Sequence, residues 1–160
     1  MGWYNDGVIQ NCTFSNLTIT DSSTGISVYL PDTPLNGRGS DEGIEDTHIQ
    51  NLSFSGILMD RIYNEPVLVR VFERNRCEGV RDLFFSGIHA RSVHMPVLCG
   101  REDCRLQNIF FTDCHFTQIR RDQIPDQENG PYSSDNQYSL VPCFRCVDNL
   151  VLQGTVFHVL

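Results

Sequence analysis

Cys143 and Cys146 frame a Cys-Phe-Arg-Cys segment, the spacing of a redox dithiol or of half a zinc site. The segment reads as a strand, without the helix N-terminus that activates such thiols, and residues three apart on a strand point to opposite faces. Cysteines stacked in a core are therefore the expectation, with a metal site, a redox pair or a disulfide as alternatives. Cys77, Cys104 and Cys146 each stand just ahead of a recurring segment and are expected to lie near one another, but a zinc ion there lacks a nameable fourth ligand. His48, His89, His94, His115 and His158 show no HExxH or paired spacing and read as surface or turn histidines. No Gly-x-Ser-x-Gly elbow supports a serine nucleophile. Nothing in these residues implies a metal or an organic cofactor.

Charge excludes further classes. All 12 basic residues are Arg, so a P-loop lysine, a Schiff-base lysine and a polybasic membrane tail are absent. A net charge of −8 with no Arg-rich run argues against bulk attraction to nucleic acid. No apolar run approaches the ~20 residues of a spanning helix, so no membrane partner is expected. The first residues carry neither a basic n-region nor an apolar h-region. Seven cysteines, an odd number, suit a reducing compartment or a leftover thiol, and the compartment stays open.

The elements that must position these residues come from a repeat. Five segments share one pattern: Val8 to Leu17, His48 to Ile57, Gly79 to Ile88, Arg105 to Cys114 and Cys146 to Thr155. Down the columns, Ile9, Ile49, Val80, Leu106 and Val147 are aliphatic; Asn11, Asn51, Asp82, Asn108 and Asn149 form an amide column with one Asp. Cys12, Leu52, Leu83, Ile109 and Leu150 follow, then Phe14, Phe54, Phe85, Phe111 and Leu152. The alternation has period two, which is strand geometry. Phe84 and Phe110 then point outward and stack in register, more simply as a ladder supporting a sheet than as a sugar platform.

A second strand sits between repeats, at Gly25-Ile26-Ser27-Val28, Pro66-Val67-Leu68-Val69, Pro96-Val97-Leu98-Cys99 and Pro142-Cys143-Phe144-Arg145, with Pro marking its entry. Insertions run from Leu30 to Thr47, Phe72 to Glu78 and Arg120 to Ser139. The first holds Arg38, Asp41, Glu42, Glu45 and Asp46, and such loops either build a binding surface or serve as solvated connectors. Identical apolar columns are buried only by stacking one unit on the next, and stacked Asn side chains suit a sharp turn, where they tolerate left-handed backbone. The expected fold is all-β: a right-handed parallel β-helix, a solenoid of about five to six coils forming a single domain over residues 1–160, its ends not visibly capped. Sequons at Asn11, Asn16 and Asn51 read as structural, because two of them fall in the ladder column.

The chain resembles the carboxyl-terminal coils of glycoside hydrolase family 28, the polygalacturonase-like enzymes. Gln10-Asn11-Cys12-Thr13-Phe14-Ser15-Asn16-Leu17 leading into Gly25-Ile26-Ser27-Val28-Tyr29 carries the resemblance, with Ile49 to Met59 and Pro66 to Val69. It implies a pectin-lyase-like β-helix and inverting hydrolysis of pectic polysaccharide, in which one carboxylic acid protonates the leaving oxygen and a second carboxylate activates water. The family's Asn-Thr-Asp, Asp-Asp and Gly-His-Gly motifs are absent, so no residue of this chain is assigned a catalytic role and the isolated chain is expected to be inactive. The family's Arg-Ile-Lys motif matches Ser27 to Tyr29, which lack its two cations and suit a neutral or differently charged sugar. The resemblance nominates Ser27, Tyr29, Arg38 and Arg70 for substrate contact. The alternative is a carbohydrate-binding or structural β-helix without catalysis. The first repeat begins close to Met1 and Val156 to Leu160 reads as a strand, which suits either a piece of a longer β-helix or self-association through uncovered ends.

Overall fold

The computed structural model describes residues 8–30, 47–72, 77–124 and 140–160. Twelve strands follow one another: β1 Val8–Ser15, β2 Thr18–Thr20, β3 Ile26–Leu30, β4 Thr47–Ile62, β5 Val67–Val71, β6 Cys77–Ser92, β7 Val97–Cys99, β8 Leu106–Thr112, β9 His115–Gln118, β10 Cys143–Arg145, β11 Val147–Gln153 and β12 Val156–His158. A 3-10 turn at Arg121–Gln123 is the helical content among the described residues. The protein is all-β and its strands form two parallel sheets, an eight-stranded one ordered β1-β4-β6-β8-β11 with β2, β9 and β12 alongside, and a four-stranded one ordered β10-β7-β5-β3.

The recurring columns coincide with ladder partners. Phe14 pairs with Phe54, Phe54 with Phe85, Phe85 with Phe111, and Phe111 with Leu152. The rings stack face to face with centroids 5.1, 5.2 and 4.6 Å apart. Ile49, Leu52, Val80, Leu83, Leu106 and Ile109 from the neighbouring columns join them in one buried core, closed by Val67, Val69 and Leu98 of the smaller sheet. Burying each large side chain contributes ~2 kcal/mol, so the repeat itself is the principal source of cohesion.

β4 and β6 are long because they bend without ending. Asn51, Gly56 and Arg61 hold φ of 53°, 59° and 54°, and Asp82 and Gly87 hold 57° and 58°; the ladder runs on through the corners at Asn51 and Gly56 and shifts register around Arg61. At the Asn column the amides bond between layers. Asn51 Nδ2 donates to Asn11 Oδ1 at 2.7 Å, Asn108 Nδ2 to Asp82 Oδ1 at 2.8 Å and Asn149 Nδ2 to Asn108 Oδ1 at 2.9 Å. Amides at this column therefore serve two needs, a left-handed backbone and a donor-acceptor side chain.

Three expectations are corrected. Cys143 and Cys146 do not stack in the core: both are half-buried, and the Cys146 thiol donates to Glu102 Oε1 at 3.3 Å from a bend with φ 50°. Cys143 starts an outward column, and Cys146 sits at a corner, so neither points inward. The Phe72-to-Glu78 insertion ends earlier than expected, since β6 already begins at Cys77, which is disulfide-bonded to Cys104. Pro66, Pro96 and Pro142 each precede a strand, and β3 with β5 and β7 with β10 pair as the aligned segments imply, but β5 and β7 do not. Leu68 pairs with Val97 and Val69 with Leu98, a slip of one residue from the alignment of Pro66 with Pro96. Such a slip exchanges the two faces of a strand, and here it sends Leu98, fully buried, into the core in place of Val97 and Cys99.

Candidate functional site

The four-stranded sheet presents an outer face whose residues follow from that register. Val67, Val69 and Val71 point inward while Leu68 and Arg70 alternate outward. Pairing then aligns Ser27, Leu68, Val97 and Cys143 in one outward column and Arg70, Cys99 and Arg145 in the next, with Tyr29 opposite Arg70 in register. With strands ~4.8 Å apart, Arg70 and Arg145 stand about 10 Å apart along the stack.

Of the residues nominated for substrate contact, the structure thus brings Ser27, Tyr29 and Arg70 to one face, by strand position for Tyr29; Arg38 lies outside the described residues. Arg70 is half-buried, its guanidinium carbon 4.3 Å from the centroid of the Phe72 ring, which fixes the side chain by cation-π contact. At the entry of β5, Glu65 is 7% exposed. Burial pushes its carboxyl above the usual carboxylate range, while its own backbone N–H and the charge of Arg70 pull the other way. Glu65 also receives the backbone of the preceding layer, Gly25 N–H donating to its carbonyl at 3.1 Å.

Arg145 escaped the reading of the sequence as a member of this face. The signal was present, since Leu98 is the more apolar of the alternating residues around it and belongs inside, but the aligned prolines pointed to the other register. With Arg145 included, the face that lacks cations at Ser27 and Tyr29 gains two of them from neighbouring layers.

A second assembly lies on the larger sheet beyond the Gly56 and Gly87 bends, where a groove of about 410 Å³ is lined by Leu58, Asp60, His89, Arg91, His115 and Thr117, among others. Arg61 grips Asp21 with Nε and Nη2, both at 2.6 Å, and donates to Asp60 Oδ2 at 2.7 Å; Arg91 Nη1 donates to Asp60 Oδ1 at 2.7 Å. The Arg61 hydrogen bonds hold the Asp21 carboxyl below its usual range. Half-buried His94 lies in the turn between β6 and β7, and burial lowers its pKa to about 4, with Arg121 adding to the effect.

Among the described residues no group of three or more His, Cys, Asp or Glu side chains could hold a metal ion, and no helix is long and apolar enough to cross a membrane. No family model matches the chain, and no curated protein and no solved structure is significantly similar to it.

Proposed function

We propose that the chain is a right-handed parallel β-helix of the polygalacturonase-like type, related to glycoside hydrolase family 28, and that it holds an acidic, pectic polysaccharide along the four-stranded sheet without cleaving it. The fold reading is supported by like residues pairing with like residues through successive layers, with bends at fixed places in each unit. The binding reading rests on one observation, the outward column Arg70, Cys99 and Arg145, which offers two guanidinium groups along the direction in which the strands stack. A guanidinium holds a carboxylate with a planar fork, so repeated cations on a straight face suit a polymer with repeated carboxylates.

Cleavage with inversion needs two carboxyl groups facing the scissile bond with room for water between them. Glu65 is a buried carboxyl near this face, and Arg70 is the charged neighbour that bears on it. One acid by itself does not supply both roles.

Affinity electrophoresis through gels containing polygalacturonate, fully methyl-esterified pectin or a neutral glucan tests the reading. Retardation by polygalacturonate alone is expected, reduced in Arg70→Gln and in Arg145→Gln, with no reducing sugar released in solution. Equal retardation in all three gels, or none, contradicts the binding reading; sugar release that vanishes on Glu65→Gln contradicts the non-catalytic one.

A further inference from the structure

The groove on the larger sheet is separate from the face just described and has the ingredients of a second recognition site. Its floor follows from the repeat: Thr18 pairs with Leu58, Leu58 with His89, His89 with His115 and His115 with Val156, one outward residue per layer. Leu58 is 55% exposed, an apolar wall beside two imidazoles. The rings of His89 and His115 stack with centroids 4.9 Å apart and planes 5° from parallel. Two parallel rings on an outward column present their edges in the same direction, and an imidazole carries at least one N–H donor in either protonation state.

The neighbouring outward column supplies the charge. Arg91 is 56% exposed, and one arm of its guanidinium is fastened to Asp60. Asp60 is itself held by Arg61, which is held by Asp21, so the carboxylates within reach are already engaged by arginine. His158 continues this column opposite Thr117, and Thr117 pairs with Arg91. Arg91, His89, His115 and Thr117 line a common concave space of about 410 Å³ together with the apolar Leu58. That volume falls within the ordinary range for small-ligand sites. A fork tethered on one side and open on the other is preorganised for a carboxylate, and the ring edges and hydroxyl suit the hydroxyls of a sugar.

We propose that this groove binds one or two residues of a carboxylate-bearing oligosaccharide, with Arg91 on the carboxylate and His89 and His115 on ring hydroxyls. The sugar class rests on the polysaccharide reading of the four-stranded sheet; the preference for an anion rests on Arg91 and its anchoring. The two faces would then take separate stretches of acidic glycan.

Amide chemical-shift titration of the full chain with trigalacturonate reports each face separately. Saturable shifts are expected at residues 58–60, 89–91 and 115–117, in addition to those around residues 68–70 and 99. Arg91→Gln and the double variant His89→Ala/His115→Ala should each weaken the groove response about tenfold or more, the loss expected for a charge-assisted contact, while leaving the response at residues 68–70 in place. Arg70→Gln combined with Arg145→Gln should do the reverse. Shifts confined to the four-stranded sheet overturn the groove proposal and leave the first reading standing; shifts at neither face overturn both. The groove proposal also falls if the trimethyl ester binds there equally well, if sodium acetate at the same concentration reproduces the shifts, or if Arg91→Gln leaves them unchanged.

Discussion

Asn108 shows what one position in the repeat demands. It holds φ at 54°, donates its amide to Asp82 and accepts from Asn149. Alanine there loses two hydrogen bonds and is forced into left-handed backbone, so Asn108→Ala should destabilise by about 3 kcal/mol in urea unfolding. Glycine loses the same bonds without the strain, and Asn108→Gly should recover about 1 kcal/mol of that loss. This column was legible in the sequence because a single residue type meets both needs. Arg145 was not, because an exposed arginine is compatible with either face of a strand and only register decides. His94 carries a pH dependence of its own. Its folded pKa of about 4 lies below the ordinary 6.5, so the unfolded chain binds the proton more readily. Its contribution is whole above pH 6.5 and is lost as pH falls towards 4, by at most about 3 kcal/mol. Tm measured from pH 7 to pH 4 should therefore fall less steeply in His94→Gln than in the parent protein.

At the scale of the element, face decides consequence. Phe85 and Phe84 are adjacent in β6, and each stacks on a phenylalanine of the next layer, Phe111 or Phe110. Phe85 is 1% exposed and Phe84 is 38% exposed. Phe85→Ala should cost about 4 kcal/mol in chemical denaturation, and Phe84→Ala about 1 kcal/mol or less. A similar cost for both would mean that the outer ladder is covered by something else. The alternation that separates the two rings was visible in the sequence; the 16-residue lengths of β4 and β6 were not, because the sequence suggests short strands and pairing runs on through their bends. The small sheet was readable in its strands and in its register except between β5 and β7, where two hydrophobic alignments compete and burial of Leu98 selects between them. Gly100 marks the end of that choice. A methyl group there would sit 2.7 Å from the carbonyl oxygen of Cys146 and 3.0 Å from that of Cys104. Gly100→Ala should push β10 away from β7 and lower Tm, with the four-stranded face losing its polygalacturonate retardation before the larger sheet unfolds.

For the molecule as a whole, a formal charge of −8 repels an acidic polymer at long range, so attraction has to be local and directional. The stacking of layers provides that by turning residues far apart in sequence into straight columns: Arg70 and Arg145 become near neighbours across Cys99, and His89 and His115 become a stacked pair. The groove was equally encoded, since Leu58, His89 and His115 stand at one offset from Asn51, Asp82 and Asn108. It was missed because each histidine was weighed singly and not down its column. The four-stranded face depends on the register of β7 against β5 and β10, the one place where the sequence points the other way. The direct test is a set of backbone NOEs in solution linking Cys99 to Arg70 on one side and to Arg145 on the other. Both contacts are predicted. Cross-peaks from Arg70 to Gly100 with none to Cys99 would restore the proline alignment, bring Arg145 into line with the inward Val69 and contradict the account.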